Sequence, residues 1–346
     1  MAYELFDHGQ KKIYLINMLE EKNKVFSELV LWWIKKYINQ WKKIAIIVNK
    51  KWYSSGVLCQ DCGYIPKCDN CDVSVSYHMD KWWNFFGICH ICKKAYNTLE
   101  KCPNCGWYNI KPYGVWTQKI SELLLEQFGK KSVIIESETA NSTAKIERIY
   151  QELKKNNIII GTSLLTTPIK DITFDLIIFL NADLWLNIPD FNSNLGNFLF
   201  LYETFQKHKT KTFLVQSFNI ENYTIKNACK LDFEGFRKEE LKFREDFEYP
   251  PYVEMAVILY KNEIEENLFG QTNKLYQELL FLKENMWLKD LEIFSTPPLI
   301  YKIFGKYRYN IILKSKDLRP FLDAAFEKLK IYERGFKLDR EPGNII

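Results

Sequence analysis

Four pairs of cysteines carry the clearest chemistry in this sequence. Eight of the nine cysteines in the 346-residue chain lie between residues 59 and 105. They form four C-x2-C pairs: Cys59/Cys62, Cys68/Cys71, Cys89/Cys92 and Cys102/Cys105. A C-x2-C turn points two thiolates at one ion, and two such turns complete the tetrahedral sulfur shell that zinc prefers. Four pairs therefore predict two structural Zn2+ ions, each with a full shell and no open position for catalysis.

A disulfide framework is the alternative interpretation of so many cysteines. The amino-terminal residues lack the charged and then apolar pattern of a secretion signal. No apolar run approaches the roughly 18 residues that cross a bilayer. We therefore expect a cytoplasmic protein with no membrane association, and the cytoplasm keeps thiols reduced. This location favours zinc over disulfides.

The spacing predicts which pairs share an ion. Residues between successive pairs number 5, 17 and 9. The gap of 17 fits the hairpin between the two cysteine turns of a zinc ribbon, which spans about 15 to 20 residues. The inner ion is therefore assigned to Cys68, Cys71, Cys89 and Cys92. The outer ion is left with Cys59, Cys62, Cys102 and Cys105, so the two sites are nested.

The middle of the longest spacer is rich in aromatic residues. Trp82, Trp83, Phe85 and Phe86 lie there. A zinc module has little core of its own, so some of its aromatic side chains must cover the cysteines. A hairpin tip this apolar is nevertheless expected to contact a stacked base or another protein.

The segments on either side of the cysteines predict an α/β domain. Before them, residues 43–49 (KIAIIVN) predict a buried strand, preceded by an amphipathic helix over 25–40. After them, the pattern predicts helices at 118–128, 143–155 and 195–207, and strands at 132–136, 157–161, 175–180 and 211–217. Alternating strands and helices indicate a mostly parallel sheet, into which the cysteine segment is inserted.

From about residue 249 the predicted order becomes β-α-β-β-α-β, the split βαβ of ferredoxin-like folds. Its second half contains a cationic stretch with aromatic residues between the charges. The candidate DNA or partner contacts in it are Lys302, Lys306, Tyr307, Arg308, Tyr309 and Lys314. Such a stretch can bind phosphates and stack bases, and a solvated strand face is the alternative.

The formal net charge of +5 does not itself indicate a nucleic-acid partner. Eight thiolates and two dications together lower this value by four, to about +1. The prediction of DNA binding therefore depends on the local cationic stretch.

Several segments resemble the PriA (primosomal protein N′) helicases of replication restart. The most specific are CQDCGYIPKCDNCDVSVSYH and CHICKKAYNTLEKCPNCG, and the resemblance extends to IGT at 160–162, GKYRY at 305–309 and LDREP at 338–342. It covers nearly the whole chain. The resemblance implies a RecA-like second helicase lobe (1–55 and 111–245), an inserted two-zinc module (56–110) and an α+β, ferredoxin-like DNA-binding domain (246–346).

The ATP-binding parts of that family have no counterpart in this sequence. No G-x-x-x-x-G-K-[ST] motif occurs, so no loop is available to hold the phosphates of ATP. The family's arginine-finger segment falls on residues 203–210, and no arginine lies between Arg148 and Arg237. Lys207 is a poor substitute because it lacks the planar guanidinium. The resemblance therefore implies a truncated form with no ATP cofactor, although the family itself is enzymatic.

Three functional hypotheses follow. The leading one is a zinc-dependent scaffold, without ATP hydrolysis of its own, that binds forked or single-stranded DNA and replication-restart proteins. The second is one half of a split ATP-dependent 3′-5′ DNA helicase whose first lobe is a separate chain. The third is a zinc-stabilised protein-interaction module with no DNA role. No competing catalytic group is evident, since Cys229 has no nearby base and is expected to be a small core residue.

Overall fold

Two compact units make up the chain in this computed structural model. It describes residues 3–48, 56–59, 61–71, 73–79, 85–89, 91–97, 99–113, 117–135, 143–169, 171–183, 186, 188 and 190–342. The first unit comprises Met1–Ser54, Gly114–Pro189 and Ser193–Glu240. The second comprises Ser55–Tyr113, Asp190–Asn192 and Leu241–Ile346. The cysteine segment therefore belongs to the same compact unit as the carboxyl-terminal region.

The described residues form seventeen strands and eight α-helices. The strands are β1 (Tyr3–Asp7), β2 (Lys12–Asn17), β3 (Ile44–Ile47), β4 (Gly56–Cys59), β5 (Ser76–Met79), β6 (Phe85–Ile88), β7 (Ala95–Asn97), β8 (Ile110–Tyr113), β9 (Val133–Ile135), β10 (Ile158–Gly161), β11 (Leu176–Phe179), β12 (Thr212–Ser217), β13 (Glu254–Asn262), β14 (Glu292–Thr296), β15 (Lys302–Ile303), β16 (Lys306–Ser315) and β17 (Lys337–Asp339). The helices are α1 (Glu28–Asn39), α2 (Thr117–Phe128), α3 (Thr143–Lys155), α4 (Ser193–Lys207), α5 (Tyr223–Lys230), α6 (Phe233–Asp246), α7 (Glu265–Asn285) and α8 (Arg319–Leu329). Over the part of the chain described, each helix is too short or too polar to span a membrane.

The first unit is built on a seven-stranded sheet in the order β1-β2-β12-β11-β3-β10-β9. Strands β1 and β2 pair antiparallel, and every other pairing is parallel. Every residue of the central strand β3 is buried. Ala45 and Ile47 pack with residues of α3, α4 and α5, whereas Ile44 and Ile46 pack with residues of α1 and α2. Apolar residues occupy successive positions because helices cover both faces of the sheet.

A buried glutamine fixes the start of α1 against this sheet. The Ser27 hydroxyl accepts a hydrogen bond from the Val30 N–H (3.2 Å) and so caps the helix. The Ser27 N–H donates in turn to Oε1 of Gln216 in β12 (2.8 Å). The Gln216 amide donates to the carbonyl of Leu180, which follows β11 (3.0 Å). One polar side chain thus satisfies backbone groups of a helix and of the neighbouring strand segment.

The carboxyl-terminal part of the second unit contains a separate antiparallel sheet in the order β14-β16-β13-β17, with β15 paired to β16. Helix α7 connects β13 to β14, and β16 lies between those two strands. Ile258, Ile311 and Leu313 pack with residues of α7 and α8 on one face. Val257 and Ile312 belong to a smaller apolar cluster on the opposite face. The elements follow the predicted β-α-β-β-α-β order, with β15 added as a short extra strand.

Candidate metal centres

Antiparallel pairing of short strands brings distant cysteine turns together. Strand β4 ends at Cys59 and pairs with β8, which follows Cys102 and Cys105 in the chain. Strands β5 and β6 form a hairpin in which Ser76 pairs with Ile88, so the turn before β5 and the turn after β6 lie at one end of the hairpin. The outer and inner cysteine turns are therefore closed by two different strand pairs, one nested within the other.

The eight cysteine sulfurs form two groups of four. The Sγ atoms in each group all lie within 4.8 Å of one another. The groups are Cys59, Cys62, Cys102 and Cys105, and Cys68, Cys71, Cys89 and Cys92. These are the outer and inner sets that the spacing predicts, and their role as zinc ligands stays a prediction.

The sulfur spacing fits a tetrahedral ion and excludes disulfide bonds. The Sγ atoms are 3.6 Å apart for Cys59 and Cys105, and 3.7 Å apart for Cys68 and Cys92. Four sulfurs at about 2.3 Å from a central ion lie about 3.8 Å from one another, whereas bonded sulfurs are about 2.0 Å apart. All nine cysteines are free thiols. Both groups can therefore hold a metal ion, and their all-sulfur donor set suits zinc.

Three cysteine turns whose following residue is described share one backbone geometry. In each, the residue after the second cysteine has a positive φ and donates its N–H to the carbonyl of the first cysteine. Gly63 (φ 74°) donates to Cys59 at 2.9 Å, and Gly106 (φ 79°) donates to Cys102 at 2.9 Å. Lys93 (φ 62°) donates to Cys89 at 2.8 Å. Glycine suits this left-handed conformation because it has no Cβ, so the sequence C-x2-C-G is a local signal for the turn.

Polar side chains surround the inner sulfurs. The Tyr96 hydroxyl donates to Sγ of Cys68 (3.0 Å) and also contacts the Asp69 carboxylate. Lys94 forms an ion pair with Asp69 at 2.6 Å, and the pKa of Asp69 is held at about 2 by its hydrogen bonds from Lys94 and Tyr96. Burial raises the pKa of the Cys89 thiol to about 12. A bound cation would favour the ionised form of this thiol, which is what a metal site supplies.

The outer group is more open to solvent. Cys62 is exposed, and the Asn104 amide donates to its sulfur at 3.5 Å. This hydrogen bond is the main cause of a Cys62 pKa lowered to about 6. An ionised sulfur is therefore favoured at the exposed edge of the outer group.

The predicted aromatic tip falls largely outside the described residues. Trp82 and Trp83 lie outside them, as do the side chains of Phe85 and Phe86. The backbones of Phe85 and Phe86 form the first half of β6 and pair with β5. Their predicted role in stacking or partner binding stays a prediction.

The predicted cationic stretch is divided between the two faces of the carboxyl-terminal sheet, because side chains alternate along β16. Tyr309 contacts Phe269 of α7, with ring centroids 5.3 Å apart, so the tyrosines face the helices. Lys302 lies over the Tyr307 ring, 4.5 Å from its centroid. Lys314 is half-buried on the other face, with its Nζ 4.2 Å from the Tyr249 centroid.

Two cations that the sequence alone did not predict, Lys261 and Lys337, lie with Lys306 and Arg308 on the face opposite the helices. Lys261 of β13 is paired across the sheet with Arg308, and Lys337 is paired with Leu259, two residues from Lys261. Burial lowers the pKa of Lys261, and the nearby charges of Arg308, Lys337 and Lys306 lower it further. We call Lys261, Lys306, Arg308 and Lys337 the cationic face. Only the strand pairing brings them together, so no local sequence signal could have identified Lys261 or Lys337.

Two charged residues of the first unit make local contacts. The buried carboxylate of Asp183 accepts hydrogen bonds from the Ser217 hydroxyl (2.7 Å) and from the Phe218 N–H (2.6 Å). Lys207 is exposed at the end of α4 and forms an ion pair with Glu203 one turn earlier. Both side chains therefore make contacts that stabilise local structure.

Comparison with known proteins finds relatives that act in replication restart. The chain is 28% identical over 330 residues to the replication restart protein PriA of Thermotoga maritima, which covers 93% of this chain and 43% of that protein. It is 27% identical over 338 residues to the PriA of Bacillus subtilis, with 93% and 41% covered. For the PriA of Borreliella burgdorferi the identity is 29% over 331 residues, with 92% and 48% covered. The chain thus spans less than half the length of these curated relatives. No family model matches it.

The two groups of sulfurs predict separable metal binding. Cys71→Ser and Cys105→Ser should each leave one tightly bound ion per chain where the unchanged protein has two, because each variant opens one tetrahedral shell. Metal analysis of the gel-filtered proteins measures this. Cys229→Ala, which changes a buried cysteine of the first unit, is the control and should keep both ions. Two ions in either serine variant would contradict the grouping.

Proposed function

We infer that the chain belongs to the PriA family of replication restart proteins, and on this premise we propose that it is a zinc-dependent scaffold for DNA and replication-restart partners. In this proposal the chain does not hydrolyse ATP by itself. The observation that carries the proposal is the pair of four-sulfur groups in the same compact unit as the cationic face.

The metal has a structural role in this proposal. Four cysteines complete the coordination of each Zn2+ ion, so neither site has an open position for water or substrate. Bound zinc supplies folding free energy to a segment whose own strands have only three or four residues. The eight cysteines hold the ions, and Tyr96 and Asn104 orient the sulfurs that they contact.

We further propose the domain assignment that the family implies. The parallel sheet with helices on both faces supports a degenerate RecA-like second lobe in the first unit. The carboxyl-terminal sheet has the strand order β14-β16-β13-β17, so the central strands β16 and β13 each lie between antiparallel neighbours. This is the order of a split βαβ fold, and it supports a ferredoxin-like DNA-binding domain. In this assignment, the cysteine module is inserted in the RecA-like second lobe.

Three features support the absence of ATP hydrolysis by this chain. The sequence contains no phosphate-binding loop motif. The segment at the family's arginine-finger position, residues 203–210, contains lysines but no arginine, and Lys207 within it is paired with Glu203. An arginine finger contributes about 10³- to 10⁵-fold to the rate, and a paired lysine cannot reproduce its planar hydrogen bonds.

The cationic face is the proposed phosphate-binding surface. Its lysines, Lys261, Lys306 and Lys337, are all exposed, and they lie on three neighbouring strands. Lys306 is 3.5 Å from Glu263, an exposed pair that a phosphate could displace at little cost. Arg308 is half-buried and donates to the Ile300 carbonyl at 3.2 Å, so it contributes charge more than direct contact. A row of like charges on a rigid sheet suits a nucleic-acid backbone.

DNA binding by this surface should depend strongly on salt. The double variant Lys261→Glu/Lys337→Glu should bind forked and single-stranded DNA more weakly, and the slope of log K against log salt should fall by about two, one unit for each lost phosphate contact. Fluorescence anisotropy with labelled oligonucleotides from 50 to 300 mM salt measures both quantities.

Lys289→Glu is the matched control, because Lys289 is an exposed lysine of the same unit away from the cationic face. It should keep the slope of the unchanged protein. Binding that is insensitive to salt, or equal losses in both variants, would contradict the proposed surface. If the chain bound no form of DNA, only its role as a scaffold for protein partners would remain.

The chain alone should neither bind ATP nor hydrolyse it. Isothermal titration with ATP and magnesium should give no heat of binding, and hydrolysis should stay at background with forked DNA present, since no group holds the phosphates. Tight ATP binding by this chain would contradict the proposal. Hydrolysis that appears only on mixing with a separate chain that carries a phosphate loop would instead support the split helicase.

A further inference from the structure

The turn between β15 and β16 has a well-defined two-residue geometry. Ile303 pairs with Lys306, and only Phe304 and Gly305 lie between them. Both turn residues have positive φ angles, 50° and 80° respectively. This is the pattern of a type I′ hairpin, which matches the twist of the strands and holds the turn backbone in one conformation.

Both backbone amides of this turn donate to one cysteine turn of the inner centre. The Gly305 N–H donates to the carbonyl of Asn70 at 2.8 Å, and the Phe304 N–H donates to Sγ of Cys71. Asn70 lies between Cys68 and Cys71, so both bonds reach the same C-x2-C turn. The Phe304 side chain is 64% exposed, which means that the contact is made by the backbone and not by an inserted ring.

The outer centre is contacted differently. Among the described residues, the side-chain donor to its sulfurs is Asn104, which lies inside the cysteine segment itself. The inner centre has a comparable local donor in Tyr96, and it has the distant hairpin in addition. The inner centre is therefore the one to which the carboxyl-terminal sheet contributes.

Hydrogen bonds to a metal-bound sulfur are charge-assisted, because the sulfur carries negative charge when it is a ligand. Groups that hydrogen-bond to metal ligands orient them, and their loss typically weakens metal binding about 10- to 100-fold. The acceptors also order the donors: when the sulfur and the Asn70 carbonyl are held in place, the turn that donates to them is held as well.

We propose that the Phe304–Gly305 turn is a positioning element of the inner metal centre, and that metal binding at the inner cysteines orders the β15–β16 hairpin. This inference rests on the metal binding proposed above, and it adds a link between the inner ion and the cationic face. Lys306 and Arg308 begin β16 directly after the turn. Loss of the inner ion should therefore loosen the segment that carries two of the four cations without removing their charges.

Hydrogen exchange of the full chain tests the link in one direction. Cys89→Ser removes an inner ligand but leaves both acceptors of the turn, Asn70 and Cys71, unchanged. It should bind one ion fewer and should raise amide exchange in peptides covering residues 301–308, with α8 as an internal reference. Cys102→Ser, the matched outer variant, should also bind one ion fewer but leave exchange at 301–308 unchanged.

The outcomes separate the inference from the proposed function. One ion lost in Cys89→Ser without a change in exchange at 301–308, or equal changes in the inner and outer variants, would overturn the inference and leave the zinc scaffold intact. If the protein without substitutions binds no ion at the inner cysteines, both the inference and the proposed zinc scaffold are overturned.

Substitution of the turn tests the link in the other direction. Gly305→Val places a β-branched residue at φ 80° and strains the turn, although a Cβ there would meet only ordinary contact with Asn70. Gly335→Val is the matched control, with φ 83° in the same unit. Competition with a coloured chelator should give inner-site affinity about 10- to 100-fold weaker in the Gly305 variant and unchanged in the Gly335 variant. Equal affinities in both would overturn the inference.

Discussion

The convergence of eight cysteine sulfurs on two points is the constraint on which the cysteine segment of the second unit depends. Most of the buried side chains described between residues 56 and 113 are cysteines, accompanied mainly by Val57, Val73 and Val75. Sheets of two or three short strands are marginal in water without such cross-links. In the proposed zinc-bound protein, the sulfurs around each ion therefore replace the apolar core that this segment lacks. The first unit is different, since apolar residues on both faces of its parallel sheet bury its core without any metal.

The inner centre connects this constraint to the rest of the unit. Its cysteine turn accepts backbone hydrogen bonds from the Phe304–Gly305 turn, and the strand after that turn carries part of the cationic face. In the proposed zinc-bound protein, one set of contacts therefore links metal binding to the placement of positive charge. The net charge of the chain is nearly neutral once two ions are bound, so this local arrangement is what a polyanion would encounter.

Local patterns predicted the parts of the structure that local physics determines. The apolar runs at β3, β10, β11 and β12 and the amphipathic pattern of α3 are visible in the sequence because burial and helical period act over a few residues. The nested cysteine groups were predictable because a 17-residue spacer can fold back as a hairpin. The β1–β2 hairpin was missed, although β2 (KIYLIN) contains a short apolar run of the kind that forms a buried strand. The cationic face and the hairpin contact were not predictable, because they depend on pairing between strands and on backbone atoms distant in the chain.

X-ray absorption at the zinc edge of the purified, unchanged chain reports the ligands of both sulfur groups. Two ions per chain are expected, each with four sulfur neighbours at about 2.3 Å and no nitrogen or oxygen ligand. A single ion per chain, or a shell that includes nitrogen or oxygen, would contradict this expectation.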